Sequence, residues 1–161
     1  MNRLVLVTGS RSLASNADAQ AWLRSRLDEL APDVVVTGTM PSRDESGEFV
    51  AATWPDTWAV EWAVDRDVRF AVYVLDDGMV HSARGPYHMW SAQPTPPMGS
   101  PERKRWPLTR NAAMTRDVAS AHDRYDVTVL ALRSSTAKTH GTEHTIRLCR
   151  EAGLTAEEMT W

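Results

Sequence analysis

Short apolar runs alternate with segments of helical spacing along almost the whole chain. Residues 4–7 (Leu-Val-Leu-Val), 33–38 (Asp-Val-Val-Val-Thr-Gly), 69–75 (Arg-Phe-Ala-Val-Tyr-Val-Leu) and 127–132 (Val-Thr-Val-Leu-Ala-Leu) read as buried strands. Between the first two, Leu23, Leu27 and Leu30 fall at i, i+4 and i+7, a core-facing helical stripe. Ser15-Asn16-Ala17-Asp18 resembles a capping box at its start, and Pro32 stops it. A second helix starts at Thr53-Trp54-Pro55-Asp56, with Thr53 as cap and Trp58, Ala59, Trp62 and Ala63 on one face. A third carries Met114, Val118 and Ala121, with Thr109 as cap and Arg110-Asn111 in the first turn. A fourth follows Gly141-Thr142 and carries Ile146, Leu148, Cys149 and Ala152. The tail from 154 to 161 alternates weakly and adds a short edge strand.

Strands alternating with helices predict an α/β fold: a Rossmann-like three-layer sandwich with a mostly parallel sheet of four to five strands. At 161 residues this is one domain. Two stretches break the pattern. Residues 39–53 are polar and turn-rich, and 76–108 hold six of the nine prolines, so both read as loops or insertions. The second contains His81, Arg84, His88, Trp90, Arg103, Lys104 and Arg105, which offer a lid over an anion or a solvated loop.

In parallel sheets of this kind ligands bind outside the carboxyl ends of the strands. Gly9-Ser10-Arg11, Gly38 and Gly141-Thr142 all fall on that edge, and Arg110-Asn111 follows the segment leaving the third strand. Gly141-Thr142 stands where a strand hands over to a helix. Unpaired N–H groups and the positive end of the helix dipole suit a phosphate there. The alternative is that Thr142 is only a cap. A cation in a first turn opposes the helix dipole, so Arg110 reads as a site residue rather than a stabilising one.

Charge and composition narrow the chemistry. Eighteen basic and 21 acidic residues give a net charge of −3, which argues against a mainly electrostatic nucleic-acid binder but not against a small anion in a local pocket. The lone Cys149 has no disulfide partner and lies on the apolar side of a helix, where a core thiol is expected. With no signal-like N-terminus and no membrane-length apolar run, the expectation is a cytoplasmic protein. His140 and His144 have zinc spacing but no third ligand nearby, so no metal is expected. Neither a P-loop nor a Gly-x-Gly-x-x-Gly turn occurs, and no cofactor is implied. Asp76-Asp77 offers a ribose contact or a turn.

Five motifs occur in order. They are Thr8-Gly9-Ser10-Arg11; Val35-Val36-Thr37-Gly38; Asp56 with Ala59, Trp62 and Ala63; Arg110-Asn111 with Met114; and Gly141-Thr142 with Thr145-Ile146. Together they resemble the SLOG superfamily, in the branch related to YspA and YpsA, found in bacteria and phages and distantly related to the LOG phosphoribohydrolases and DprA. The resemblance spans residues 1–161 as a single SLOG-like domain with insertions at about 39–53 and 76–108. It implies a Rossmann-like domain that binds a nucleotide or nucleotide-derived, phosphate-bearing ligand. Gly9, Ser10 and Arg11 would line the first loop, Gly38 and Asp56 the second, and Arg110, Asn111, Gly141 and Thr142 the phosphate end. Relatives run from the second strand directly through a glycine-rich loop into the helix. Here Gly38 is followed by an insertion reaching Asp56, within which Arg43 is a candidate for the family arginine.

Three functions fit. The first is a nucleotide-derivative sensor. The second is a LOG-like hydrolase of the N-glycosidic bond of nucleoside monophosphates. Its family glutamate is replaced by Thr145, Glu143 points elsewhere, and Arg110, Asp56 and Glu61 are the catalytic candidates. The third is a ligand-free protein-interaction module. The resemblance also implies a homo-oligomer, a dimer, with the Trp58/Trp62 face as candidate contact.

Overall fold

A computed structural model describes residues 1–38, 45–46, 54–76, 79–84, 93–94, 99–137 and 140–161; at 74–76, 79–84, 93–94, 102, 103 and 106 it describes the backbone alone. The elements run β1 (Asn2–Gly9), a single 3-10 turn (Arg11–Leu13), α1 (Ala17–Leu30), β2 (Val34–Thr37), α2 (Pro55–Asp65), β3 (Arg69–Asp76), β4 (Met79–Arg84) and β5 (Gln93–Pro94). They continue with α3 (Pro101–Lys104), α4 (Trp106–Ser120), β6 (Tyr125–Arg133), α5 (His140–Glu151) and β7 (Ala156–Thr160).

Seven strands form one sheet in the order β5-β4-β3-β2-β1-β6-β7. The five from β3 to β7 are parallel, as expected for a Rossmann-like three-layer fold, and the tail supplies the edge strand β7. Five parallel strands match the upper end of the expected four to five, and two antiparallel strands, β4 and β5, extend the sheet to seven. The segment 76–108 is not irregular throughout: β4 pairs antiparallel with β3, and β5 with β4. Asp76 pairs with Met79 across that antiparallel pair; Asp77, the other half of the expected turn or ribose contact, lies outside the described residues. Proline masked this hairpin, because Pro94 sits on the outermost strand, where a missing N–H costs least.

Alternation along β1 builds both halves of the core. Val5 and Val7 face α1 and α2 with Leu23, Leu27, Trp58 and Trp62. Leu4 and Leu6 face α4 and α5 with Met114, Val118 and Cys149. Trp58 and Trp62 are 1% and 2% exposed, so the expected dimer contact on their face is overturned: they are core of their own chain. The Trp62 indole N–H donates to Asp28 at 2.9 Å. Cys149 is buried, and burial pushes its thiol up to about 11, with a smaller opposing pull from neighbouring Thr115.

Three helix starts differ from the sequence expectation. Asn16, not Ser15, caps α1, its side chain accepting from the Ala19 N–H at 2.9 Å. Trp54 is the cap residue of α2, with Pro55 first and Asp56 second; Thr53 lies outside the described residues. The α4 helix begins at Trp106 after Arg105, which puts Thr109, Arg110 and Asn111 inside the helix rather than at its start. Pro107 in the first turn is the start signal, as proline has no N–H to lose there. The α1 end is as read: Ala31 adopts a left-handed conformation at φ 46°, and Pro32 follows.

Two glycines set how closely elements approach. A Cβ at Gly9 would lie 2.4 Å from the Pro55 Cβ, so the α2 N-terminus can sit against the end of β1 only with glycine there. At Gly141 the nearest atom is the Asn111 Nδ2, 3.8 Å away, an ordinary contact. Gly9→Ala is therefore expected to destabilise by roughly 1–3 kcal/mol as an overpacked site, whereas Gly141→Ala stays near wild type. Urea denaturation of both variants checks this, and equal losses would contradict it.

Candidate functional site

The chain runs from β1 through β2 to β3 on one side and then returns through β6 to β7 on the other, so the sheet changes direction between β1 and β6. A cavity of about 310 Å³ lies against that switch point. Gly9 and Arg11 line it after β1, Gly38 after β2, Asp56 at the start of α2, and Gly141 and Thr142 in the first turn of α5. From α4 come Arg110 and Asn111. Eight of the nine predicted binding residues thus share one cavity.

The ninth, Ser10, does not line it. Ser10 is fully buried, and its hydroxyl accepts from the Ser12 N–H at 3.2 Å and pairs with the Ser12 hydroxyl at 2.5 Å, stabilising the 3-10 turn that aims Arg11. Glu61 also lies elsewhere, paired with Arg24 at 3.8 Å between α2 and α1. Arg43 is outside the described residues. Thr8, Pro107 and Met114 line the cavity but were not singled out as binding residues. Two of them had a signal: 107, 110–111 and 114 lie on one face of a helix.

Arg110 and Asn111 tie the cavity together. The Arg110 Nη1 donates to the Tyr73 carbonyl at 3.0 Å and to the Gly38 carbonyl. Its Nε donates to the Asn111 side-chain oxygen at 2.7 Å. The Asn111 amide then donates to the Gly141 carbonyl at 3.3 Å, which the Thr145 hydroxyl also reaches at 3.1 Å. One pair of adjacent side chains thus connects the end of β2 and the middle of β3 to the first turn of α5. Gly38 leaves the space: a Cβ there would come within 3.1 Å of the guanidinium carbon. Burial lowers the Arg110 pKa from the usual arginine value; Asp56 opposes that and Arg11 adds to it.

Arg11 lies with its guanidinium 5.1 Å from the centre of the Trp54 ring, a cation–π arrangement that steadies it at the rim. Thr142 is the third residue of α5 and 4% exposed, so the reading of it as a helix cap is overturned. Glu143 points out to Arg133 at 2.7 Å, as the helical spacing predicts. Asp56 is the single acidic residue among the described residues that line the cavity. Desolvation pushes its pKa up to about 6; Arg110, the Gly38 N–H, Arg11 and its own N–H pull the other way. The carboxylate gains from the helix N-terminus and two cations, yet loss of water outweighs them.

Away from the cavity, His140 is exposed and His144 half-buried, with its pKa lowered by burial and by Arg147. Among the described residues no group of three metal-ligating side chains occurs. No helix among them is long and apolar enough to cross a membrane. Comparison of the chain with protein-family models, curated proteins and solved structures gives no significant match.

Asp56 gives a pH dependence with a definite sign. Its folded-state value, about 6, lies above the ordinary 3.8, so the folded protein holds more protons than the unfolded chain between them. Stability from this group is greatest at low pH and is lost as pH rises to 6. Asp56→Asn removes that loss. The variant should melt higher than wild type at pH 8 and close to wild type at pH 4, read by circular dichroism. A wild-type advantage at pH 8 would mean that Coulombic attraction outweighs desolvation.

Proposed function

We propose that this protein is a SLOG-like binding module that captures a nucleotide or nucleotide-derived, phosphate-bearing small molecule in the cavity at the carboxyl edge of its sheet. The observation that carries the reading is convergence. Two guanidinium groups, Arg11 and Arg110, and the first turns of two helices, α2 and α5, meet at one cavity. Guanidiniums donate charge-assisted hydrogen bonds to phosphate, and helix N-termini offer unpaired N–H groups. The volume, about 310 Å³, stands at the lower end of small-molecule sites and suits one mononucleotide-sized group better than a dinucleotide. A cytoplasmic setting is part of the proposal, since the lone thiol, Cys149, is buried and serves packing.

One observation favours a second reading, an N-glycosidic hydrolase. Asp56 is a carboxyl group poised between its charged and neutral forms inside the cavity, as a general acid or base requires. Incubation with nucleoside monophosphates and chromatography for released base separates the two readings.

A thermal-shift panel of mononucleotides, cyclic nucleotides, NAD and ADP-ribose tests the first, because a ligand that binds the native state raises its melting temperature. Arg11→Ala is the variant of choice, as Arg110 also ties strands together. It should weaken the best ligand by roughly 1–3 kcal/mol, the worth of a charge-assisted hydrogen bond. Unchanged affinity removes Arg11 from the site; silence across the panel favours a protein-interaction module.

A further inference from the structure

We propose that the cavity takes up its anion together with one proton and that Asp56 holds that proton, so the filled site contains a carboxylic acid beside two guanidinium groups. The inference rests on the anion-binding reading above and names how that site is regulated. Its basis is placement. Asp56 stands in the first turn of α2 and lines the same cavity as Arg110 from α4 and Arg11 from the 3-10 turn. Among the described residues, the Gly38 N–H at the end of β2 and the N–H of Asp56 itself also act on it. What β1 and α5 bring to the cavity is Thr8, Gly9, Gly141 and Thr142, none of which titrates in the ordinary range.

A carboxylate inside an anion cradle is a local contradiction, and the contradiction is resolved by protonation. In the empty cavity Arg110 and Arg11 favour the charged form of Asp56, and desolvation opposes it. An entering anion takes over the attraction of those two cations. It also adds a negative charge inside a partly dehydrated space. Both changes disfavour the carboxylate. The empty site is already near balance at about pH 6, so modest further repulsion is enough to fix a proton there at neutral pH. Once protonated, Asp56 turns from a repelling acceptor into an O–H donor for an anion oxygen. The balance is simple: one proton comes from solvent with each anion, and no covalent bond forms or breaks.

The filled state binds more protons than the empty one, so affinity is highest at low pH and falls as pH rises above 6. Full linkage gives roughly a tenfold loss per pH unit above the free-state value, until the bound-state value is reached. Inorganic sulfate is the probe, because it is phosphate-like and does not itself titrate in this range. Its dissociation constant is measured between pH 5 and 8 for wild type and for Asp56→Asn, which leaves every other titrating group in place. Wild type should lose affinity steeply above pH 6. The variant should stay nearly flat and bind tighter than wild type at pH 8, with the two alike at pH 5. Parallel curves for the two proteins overturn the proton linkage but leave the anion site standing. No sulfate binding by either protein at any pH overturns both. In unmodified protein, the carbon NMR titration of the Asp56 carboxyl gives an independent reading. Its midpoint should rise on adding sulfate, and an unmoved or lowered midpoint overturns the proposal.

Discussion

The chain of hydrogen bonds from the Gly38 and Tyr73 carbonyls through Arg110 and Asn111 to Gly141 is the constraint on which the cavity depends. Carbonyls at the ends of parallel strands have no partner within the sheet, and burying them without one is costly. A single guanidinium satisfies one of them, on Gly38, reaches the Tyr73 carbonyl within β3 and passes a third bond to its neighbour. A helix that would otherwise only pack on the sheet is thereby held in register with its edge. The same guanidinium lines the cavity, so structure and the proposed ligand capture would draw on one side chain. Loss of Arg110 would remove its bonds to both carbonyls as well as a positive charge, which is why its effect on binding alone would be hard to read.

Charge in the cavity is finely opposed. Arg11 is steadied by Trp54 at the rim, and Arg110 is anchored inside. Between them Asp56 is drawn toward ionisation by both cations and away from it by dehydration. A cradle built only for a permanent anion would have no use for that carboxyl group. The proposed acid–base chemistry and the proposed sensitivity to protons both rest on this one residue.

Much of this was legible in the chain. Apolar runs ending in glycine marked the strand ends, and eight of nine predicted binding residues meet at one cavity. What failed did so for local reasons. Ser10 has the composition of a ligand contact but spends its hydroxyl on the turn that follows. Trp58 and Trp62 made one helical face, and periodicity alone cannot tell a core from an interface. The α4 start was misplaced because Thr109 is a good cap residue, while Pro107, two residues earlier, was the true signal. The β4 strand was hidden among prolines and turn residues. Glu61 is separated from Asp56 by five positions along α2, which turns it toward Arg24 and away from the cavity.

The contact between Gly9 and Pro55 carries a further consequence. The absent side chain at one position and the ring at the other occupy a shared volume, so neither is free to vary alone. Drift in descendants of this gene would be expected to move the two sites as a pair, with a larger residue after β1 appearing only where position 55 has given up its ring. Such coupled substitution would leave a trace joining the first strand to the second helix, readable in sequences even where nothing about the ligand is known.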